Sequence, residues 1–204
     1  MAMERRRTPR GSARRAEILD GLVEIFLAEG FLAFSLDDLA ARLQCSKSTL
    51  YGVAPSKEQV TTAVVRTFFR EATARVDERA EAVRDPVARI GAYLHAISEE
   101  LTPASSWFFA DVNAFAPARE IYARNTSIAA GRVQQMVTAA AEARSTVAST
   151  INAAFLGAVT GSVMESIQRG ALEAETGLKD ATAYQLLADL IVAGVTGGHE
   201  RKPS

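Results

Sequence analysis

The chain has one cysteine, Cys45, in 204 residues. A lone thiol forms no intrachain disulfide and no multi-cysteine metal site, and it suits a reducing compartment such as the cytoplasm. There are two histidines, His95 and His199, and neither sits in a Glu-x-x-His pair. GxGxxG and GxxxxGK[ST] loops are absent, as is Gly-x-Ser-x-Gly. Di-iron, nucleotide-cradling and serine-hydrolase chemistries therefore have no support, and neither a metal nor a cofactor is expected. No run approaches the ~18 apolar residues that span a bilayer. The longest apolar-rich stretch, near residues 151–164, is broken by Asn152, Thr160 and Ser162. The Arg-rich start is followed by no apolar core, so a secretory signal is not expected. Six prolines, few aromatics and many alanines favour helices, and no strand alternation or internal repeat is visible.

What is present is an uneven charge. Residues 1–15 hold six arginines (Arg5, Arg6, Arg7, Arg10, Arg14 and Arg15) against one acid, Glu4. That end carries +5, and since the whole chain carries −1, the remainder carries −6. A basic tip on an acidic body suits a protein that offers one end to a polyanion. A solvated, disordered tail explains the same arginines, and residues 1–12 read as such an arm.

Apolar spacing gives the helices. Ile18, Leu19, Leu22, Val23, Phe26 and Leu27 lie on one face of a helix that Gly30 ends. Ser35, with Asp38 three residues on, opens a second that buries Leu39 and Leu43. Ser46 caps a third, with Leu50 inward. Ser56-Lys57-Glu58-Gln59 opens a long fourth with Val60, Val64 and Phe68 on one stripe. Asp85-Pro86 starts a fifth, Trp107 to Phe115 forms an aromatic cluster, and a long helix follows over about 118–142. Ser145 caps the next, Gly170 and Gly177 bracket a loop, and Asp180 caps the last. The expectation is all-α, about nine helices.

Two short helices joined by a few residues, the second polar outside, form a helix-turn-helix, whose second helix fits the DNA major groove. Lys47 and Ser48 lie at its N-terminal end, the end that meets bases. Thr49 and Tyr51 offer hydroxyls to phosphates. Ser35, Ser46 and Lys57 sit at helix starts, where backbone N–H groups attract phosphate. The three serines are N-caps with or without DNA, Tyr51 could be half-buried core, and Lys57 alone would be an ordinary solvated charge. Arg14 and Arg15 directly precede this region. Cys45 packs the turn like a small apolar residue.

Ser46-Lys47-Ser48-Thr49-Leu50-Tyr51, followed by Pro55-Ser56-Lys57-Glu58, resembles the N-terminal domain of the TetR (tetracycline-repressor-like) transcriptional regulators over about residues 14–60. That family tends to read Ser-Lys-Gly-x-Leu-Tyr-x-His-Phe-x-Ser-Lys-Glu here. The chain departs from it at Ser48, Gly52, Val53 and Ala54, around the His and aromatic of that pattern. The resemblance implies a helix-turn-helix domain over 13–55, and a helical ligand-sensing and dimerisation domain over 56–199. Helix four (about 56–80) connects them, and 200–204 form a tail. It implies a cytoplasmic, non-enzymatic homodimer that binds a palindromic operator and is released by a small molecule. A DNA-binding regulator without a ligand and a small helical enzyme are the alternatives.

For the second domain the residues themselves speak. On the helix near 146–169, Ala153, Ala154, Gly157 and Gly161 form a face of small residues beside Ile151, Phe155 and Val159. A helix apolar this far round is buried on two sides. The small face, with Leu186, Leu187 and Leu190 of the last helix, is the expected dimer interface, a four-helix bundle across a two-fold axis. Tyr93, Trp107, Phe108, Phe109, Tyr122 and Phe155 could wall a ligand pocket with His95, Asn113, Asn125 and Glu165 as its polar groups. Plain core packing explains each of them singly as well.

Overall fold

A computed structural model describes residues 9–143 and 153–196. Among these residues there are ten helices and no strand. They are α1 (Pro9–Glu29), α2 (Leu36–Arg42), α3 (Lys47–Tyr51), α4 (Lys57–Glu81), α5 (Pro86–Leu101), α6 (Ser106–Ala114), α7 (Ala116–Ala143), α8 (Ala153–Gln168), α9 (Ala171–Thr176) and α10 (Asp180–Thr196). The tenth is α9, six residues long, lying where the glycine-bracketed loop was expected. Gly170 and Gly177 do bracket it, both at positive φ. Within the stretch 1–12 expected as an arm, α1 begins at Pro9, and residues 1–8 lie outside the described residues. Proline is at ease in a first turn, where its missing N–H has no partner to lose. Ser145, Ile151 and the tail 200–204 lie outside the described residues.

The chain divides into two compact units. The first comprises residues up to Phe68 together with Ala104–Arg119; the second comprises Phe69–Pro103 and Glu120 onward. The division falls inside α4 and α7, not at a linker.

In the first unit, Leu22, Phe26, Phe31, Leu39, Leu50, Val60 and Phe108 form the core. Phe31 stacks on Phe26 at 5.1 Å and meets Phe108 and Phe115 edge-on at 6.2 Å. Such pairs add specific geometry to a large burial of apolar area. Helix α6, expected in the second domain, is fastened here. Asp111 Oδ2 accepts the N–H groups of Phe31 (2.5 Å) and Leu32 (2.7 Å), and Ser105 N donates to Leu27 O at 2.8 Å. Gly30 makes this clasp possible. It stands at φ +77°, and a Cβ there would come within 2.6 Å of Asp111 Oδ2.

In the second unit α10 packs on α5 and α8. Gly91 of α5 allows the approach, since a Cβ would lie 2.6 Å from Val192 Cγ2. Leu94, Val133, Met164, Ile167, Tyr184 and Ala188 fill the interior. Among the described residues no helix is long and apolar enough to cross a membrane.

Candidate nucleic-acid interface and ligand cavity

The helix-turn-helix is set by local chemistry. Ser35 and Asp38 form a full capping box: Asp38 N donates to Ser35 Oγ at 3.2 Å, and Ser35 N donates to Asp38 Oδ2 at 2.8 Å. The Ser35 hydrogen bonds hold the Asp38 carboxyl below its usual range. After α2 the chain turns at Gln44, which sits at φ +48°, the left-handed position that usually takes glycine. Cys45 N then donates to Ala40 O at 2.9 Å, which closes the turn, and Cys45 is half-buried. Ser46 caps α3 by accepting from Thr49 N at 3.2 Å. Ser56 caps α4 by accepting from Gln59 N at 3.2 Å.

One face of α3 is thereby fixed inward by Leu50, fully buried, and the other is left open. Ser46, Lys47, Ser48 and Tyr51 are exposed, Tyr51 by 47%, and Thr49 is half-buried. The hydroxyls of Ser48 and Thr49 both lie on Ser46 Oγ, at 2.7 and 2.9 Å. Lys47 Nζ reaches Asp37 Oδ2 at 2.9 Å, a hydrogen bond that raises its pKa. This exposed pair holds little energy. The sequence reading did not foresee Asp37 as its partner.

The other three expected DNA-contacting cations also have structural partners. Lys57 Nζ donates to Leu32 O at 3.0 Å. Arg15 donates to Val53 O at 3.2 Å. Arg14 pairs with Glu17 at 2.9 Å on an exposed turn. Val53, at one of the departures from the family pattern, is buried and acts as core; Gly52 is exposed. Arg42, not singled out in the sequence, pairs with Glu29 and lies 4.5 Å from the Phe34 ring centroid.

The residues grouped as a ligand pocket are divided between the two units. Phe108 is core of the first unit, Phe109 packs on it at 5.5 Å, and Trp107 is 70% exposed. The Asn113 carbonyl accepts from Arg119 at 2.6 Å in that same unit. They differ from the second-unit residues because Asp111 and Ser105 draw α6 onto the end of α1. Phe155 is 68% exposed and Glu165 is exposed. His95 Nε2 lies 3.3 Å from Asp189 on the half-open α5–α10 surface.

Tyr93, Tyr122 and Asn125 do converge. With Phe69, Thr73, Thr126 and Tyr184 they line a cavity of about 40 Å³ in the second unit. Phe69 and Tyr122 stack at 5.0 Å. Tyr122 donates its hydroxyl proton to Asp180 Oδ2 at 2.7 Å, deep in the unit. Burial raises the Asp180 carboxyl to about 6, against the Tyr122 hydrogen bond, which lowers it. Burial also pushes Tyr93 up to about 12 and Tyr122 well above its usual value. Thr126, Tyr184 and Phe69 were not marked in the sequence. They lie on three separate helices, α4, α7 and α10, so no sequence spacing links them.

Of the small face on α8, Gly157 and Gly161 pack within the chain. A Cβ on Gly157 would meet Gln134 Cγ of α7 at 2.9 Å, and one on Gly161 would meet Ala130 at 3.6 Å. Ala154 is exposed, and nothing is described of the Ala153 side chain. The exposed apolar residues are Phe155, Val159, Leu186 and Leu190, while Leu187 is buried.

A capped, two-helix reader with a polar outer face defines the class of helix-turn-helix DNA-binding proteins. Residues 18–64 match the model of the bacterial regulatory proteins of the tetR family. The fold of the rest agrees with solved members. The regulator PfmR from Thermus thermophilus is 19% identical with a TM-score of 0.58, covering 87% of this chain and 98% of that one. A transcriptional regulator from Saccharomonospora viridis, in complex with choline, is 16% identical with a TM-score of 0.66 over 88% and 96%. RolR with its ligand resorcinol is 15% identical with a TM-score of 0.54 over 97% and 99%. No curated protein matches the chain.

Proposed function

We propose that the chain is a ligand-responsive transcriptional regulator, not an enzyme, that binds a palindromic operator as a homodimer and represses. The observation that carries this is α3: Leu50 anchors it while Lys47, Ser48 and Tyr51 stand outward as a set. Ser35, Ser46 and Thr49 supply hydroxyls at the same surface, Lys57 adds its charge at the start of α4, and Arg14 and Arg15 lead into it. These groups suit phosphate contacts, with Lys47 and Ser48 nearest to base edges.

Two recognition helices about one DNA turn apart read a palindrome, so a dimer fits the role. The dimer face we propose is Phe155, Val159, Leu186 and Leu190, four large apolar side chains left exposed on α8 and α10. Exposed Ala154 lies next to Phe155 in the chain. Gly157, Gly161 and Leu187 instead support it from within their own subunit. Two fitted relatives hold choline and resorcinol, which supports a small-molecule effector in the second unit, near Tyr93, Tyr122 and Asn125. The small cavity favours a second reading, a regulator with no such effector. A compound library separates the two, since a ligand for the native state raises the melting temperature.

The test is fluorescence anisotropy with DNA from around the protein's own gene, at two salt concentrations, against a scrambled duplex. Specific binding at one dimer per site is the expected result. Equal, salt-sensitive binding to both duplexes would reduce the protein to a nonspecific polycation, and a monomer at micromolar concentration would remove the dimer.

A further inference from the structure

In the second unit, four helical threonines donate their hydroxyl proton to the carbonyl four residues earlier: Thr73 to Phe69 O (2.8 Å), Thr138 to Gln134 O (3.0 Å), Thr160 to Leu156 O (2.8 Å) and Thr176 to Leu172 O (2.6 Å). This is the usual resting place for a threonine in a helix. Buried Thr126 does not do so. It is 2% exposed, yet its hydroxyl has no hydrogen-bond partner among the described residues. The Tyr184 hydroxyl lies close enough for Thr126 to lower its pKa, yet the two do not meet hydrogen-bonding geometry. Thr126 lines the cavity bounded by Phe69, Tyr93, Tyr122 and Tyr184. A buried hydroxyl without a partner carries a desolvation penalty that a hydrogen-bonding guest removes.

The charges around this cavity are already matched. Among the described residues Glu100 is the one carboxylate on its wall, held by Arg75 at 2.6 Å and by Arg79 at 3.2 Å. No described lysine or arginine lines it. An ionic guest would be desolvated here without a free counter-charge, which is costly in an apolar interior. Tyr93 also lines a second, more open cleft of about 290 Å³ with Asp77, Glu81, Arg89, Arg132 and Met136, where Arg132 pairs with Asp77 and Arg89 donates to Val83 O. Tyr93 is therefore the wall common to both spaces. Displacement of that ring would open one to the other, and the larger lies near the lower end of the roughly 300–1,000 Å³ in which small ligands bind.

We propose that these two spaces form one site for a small uncharged molecule with an apolar ring and a hydroxyl group, a phenol or an alcohol, hydrogen-bonded to Thr126 and admitted by displacement of Tyr93. The proposal rests on the ligand-responsive reading above and names the chemical class it calls for. The probes are phenol, toluene, benzoate and benzylamine, titrated calorimetrically into the full chain. Phenol is expected to bind about tenfold more tightly than toluene, the size of one hydrogen bond to a buried partner. Benzoate and benzylamine are expected to bind more weakly than phenol. Thr126→Val keeps the shape and is expected to abolish the advantage of phenol over toluene. Tyr93→Ala opens the wall and is expected to tighten phenol and toluene alike.

Tighter binding of either charged probe, an advantage of phenol that survives in Thr126→Val, or silence from all four probes in both the wild type and Tyr93→Ala would overturn the proposal. The two readings fail separately. Thr126-dependent phenol binding that leaves operator affinity unchanged keeps the site and sinks release by a ligand. Release of DNA by a charged compound does the reverse.

Discussion

Around the helix-turn-helix, short polar side chains close helix ends at the surface: Ser35 with Asp38, Ser46 with Thr49 N, Ser56 with Gln59 N. In the second unit the polar groups lie inside, with Asp180 under Tyr122, Tyr184 fully enclosed and Thr126 without a partner. The first arrangement satisfies each group locally and fixes a small aromatic core rigidly. The second leaves buried groups whose state depends on what sits beside them. A reader of DNA needs the first kind of order, because its tips must hold a register. A sensor needs the second, because a guest shifts an equilibrium only if it interacts differently with two states.

The largest test of this contrast is the first unit's core. Phe108→Ala removes a ring that meets Phe31, Phe68 and Phe109, and should cost about 3–5 kcal/mol in urea unfolding. A cost below about 1 kcal/mol would mean this core is as yielding as the other.

Next is Asp180. Its folded pKa of about 6 lies above the ordinary carboxylate value of 3.8, so the folded state holds the proton more tightly. Stability then falls as pH rises from about 4 to 6, the reverse of a salt-bridged aspartate. Asp180→Asn still accepts the Tyr122 proton. It should raise stability at pH 7 by about 2–3 kcal/mol and flatten this part of the pH profile, as read by thermal melts at pH 4, 5, 6 and 7. An unchanged slope would mean the carboxylate is not buried in solution.

Lys47→Ala should weaken operator binding five- to tenfold (about 1–1.4 kcal/mol) and reduce the salt slope by about one, as anisotropy over a salt series would show. An unaltered slope would assign Lys47 to Asp37 alone. The smallest effect belongs to Gln44→Gly. It relieves a left-handed backbone at a non-glycine residue and should add about 1 kcal/mol, seen as a rise of a few degrees in melting temperature.

Local chemistry was legible in the chain. The caps at Ser35, Ser46 and Ser56 and the inward Leu50 follow from spacings of three or four residues, and so do most helix boundaries. The motif around Lys47 was legible for the same reason. The pocket was not, because Trp107 to Asn113 and Tyr93 to Asn125 look alike as aromatic and polar helix residues. Nor was the role of Gly157 and Gly161, since a small residue suits any close neighbour, whether Gln134 of the same chain or a second copy.

By itself the sequence determined the helices, their capped ends and the kind of face α3 presents, all of which arise from interactions within one or two turns. Only the tertiary structure decided that Asp111 joins the peptide groups of Phe31 and Leu32, 80 and 79 residues away, that α8 sets its glycines against α7, and that Thr126 is left inside without a partner. Those outcomes depend on which surfaces meet, and side-chain period alone does not say which of several apolar faces will find which.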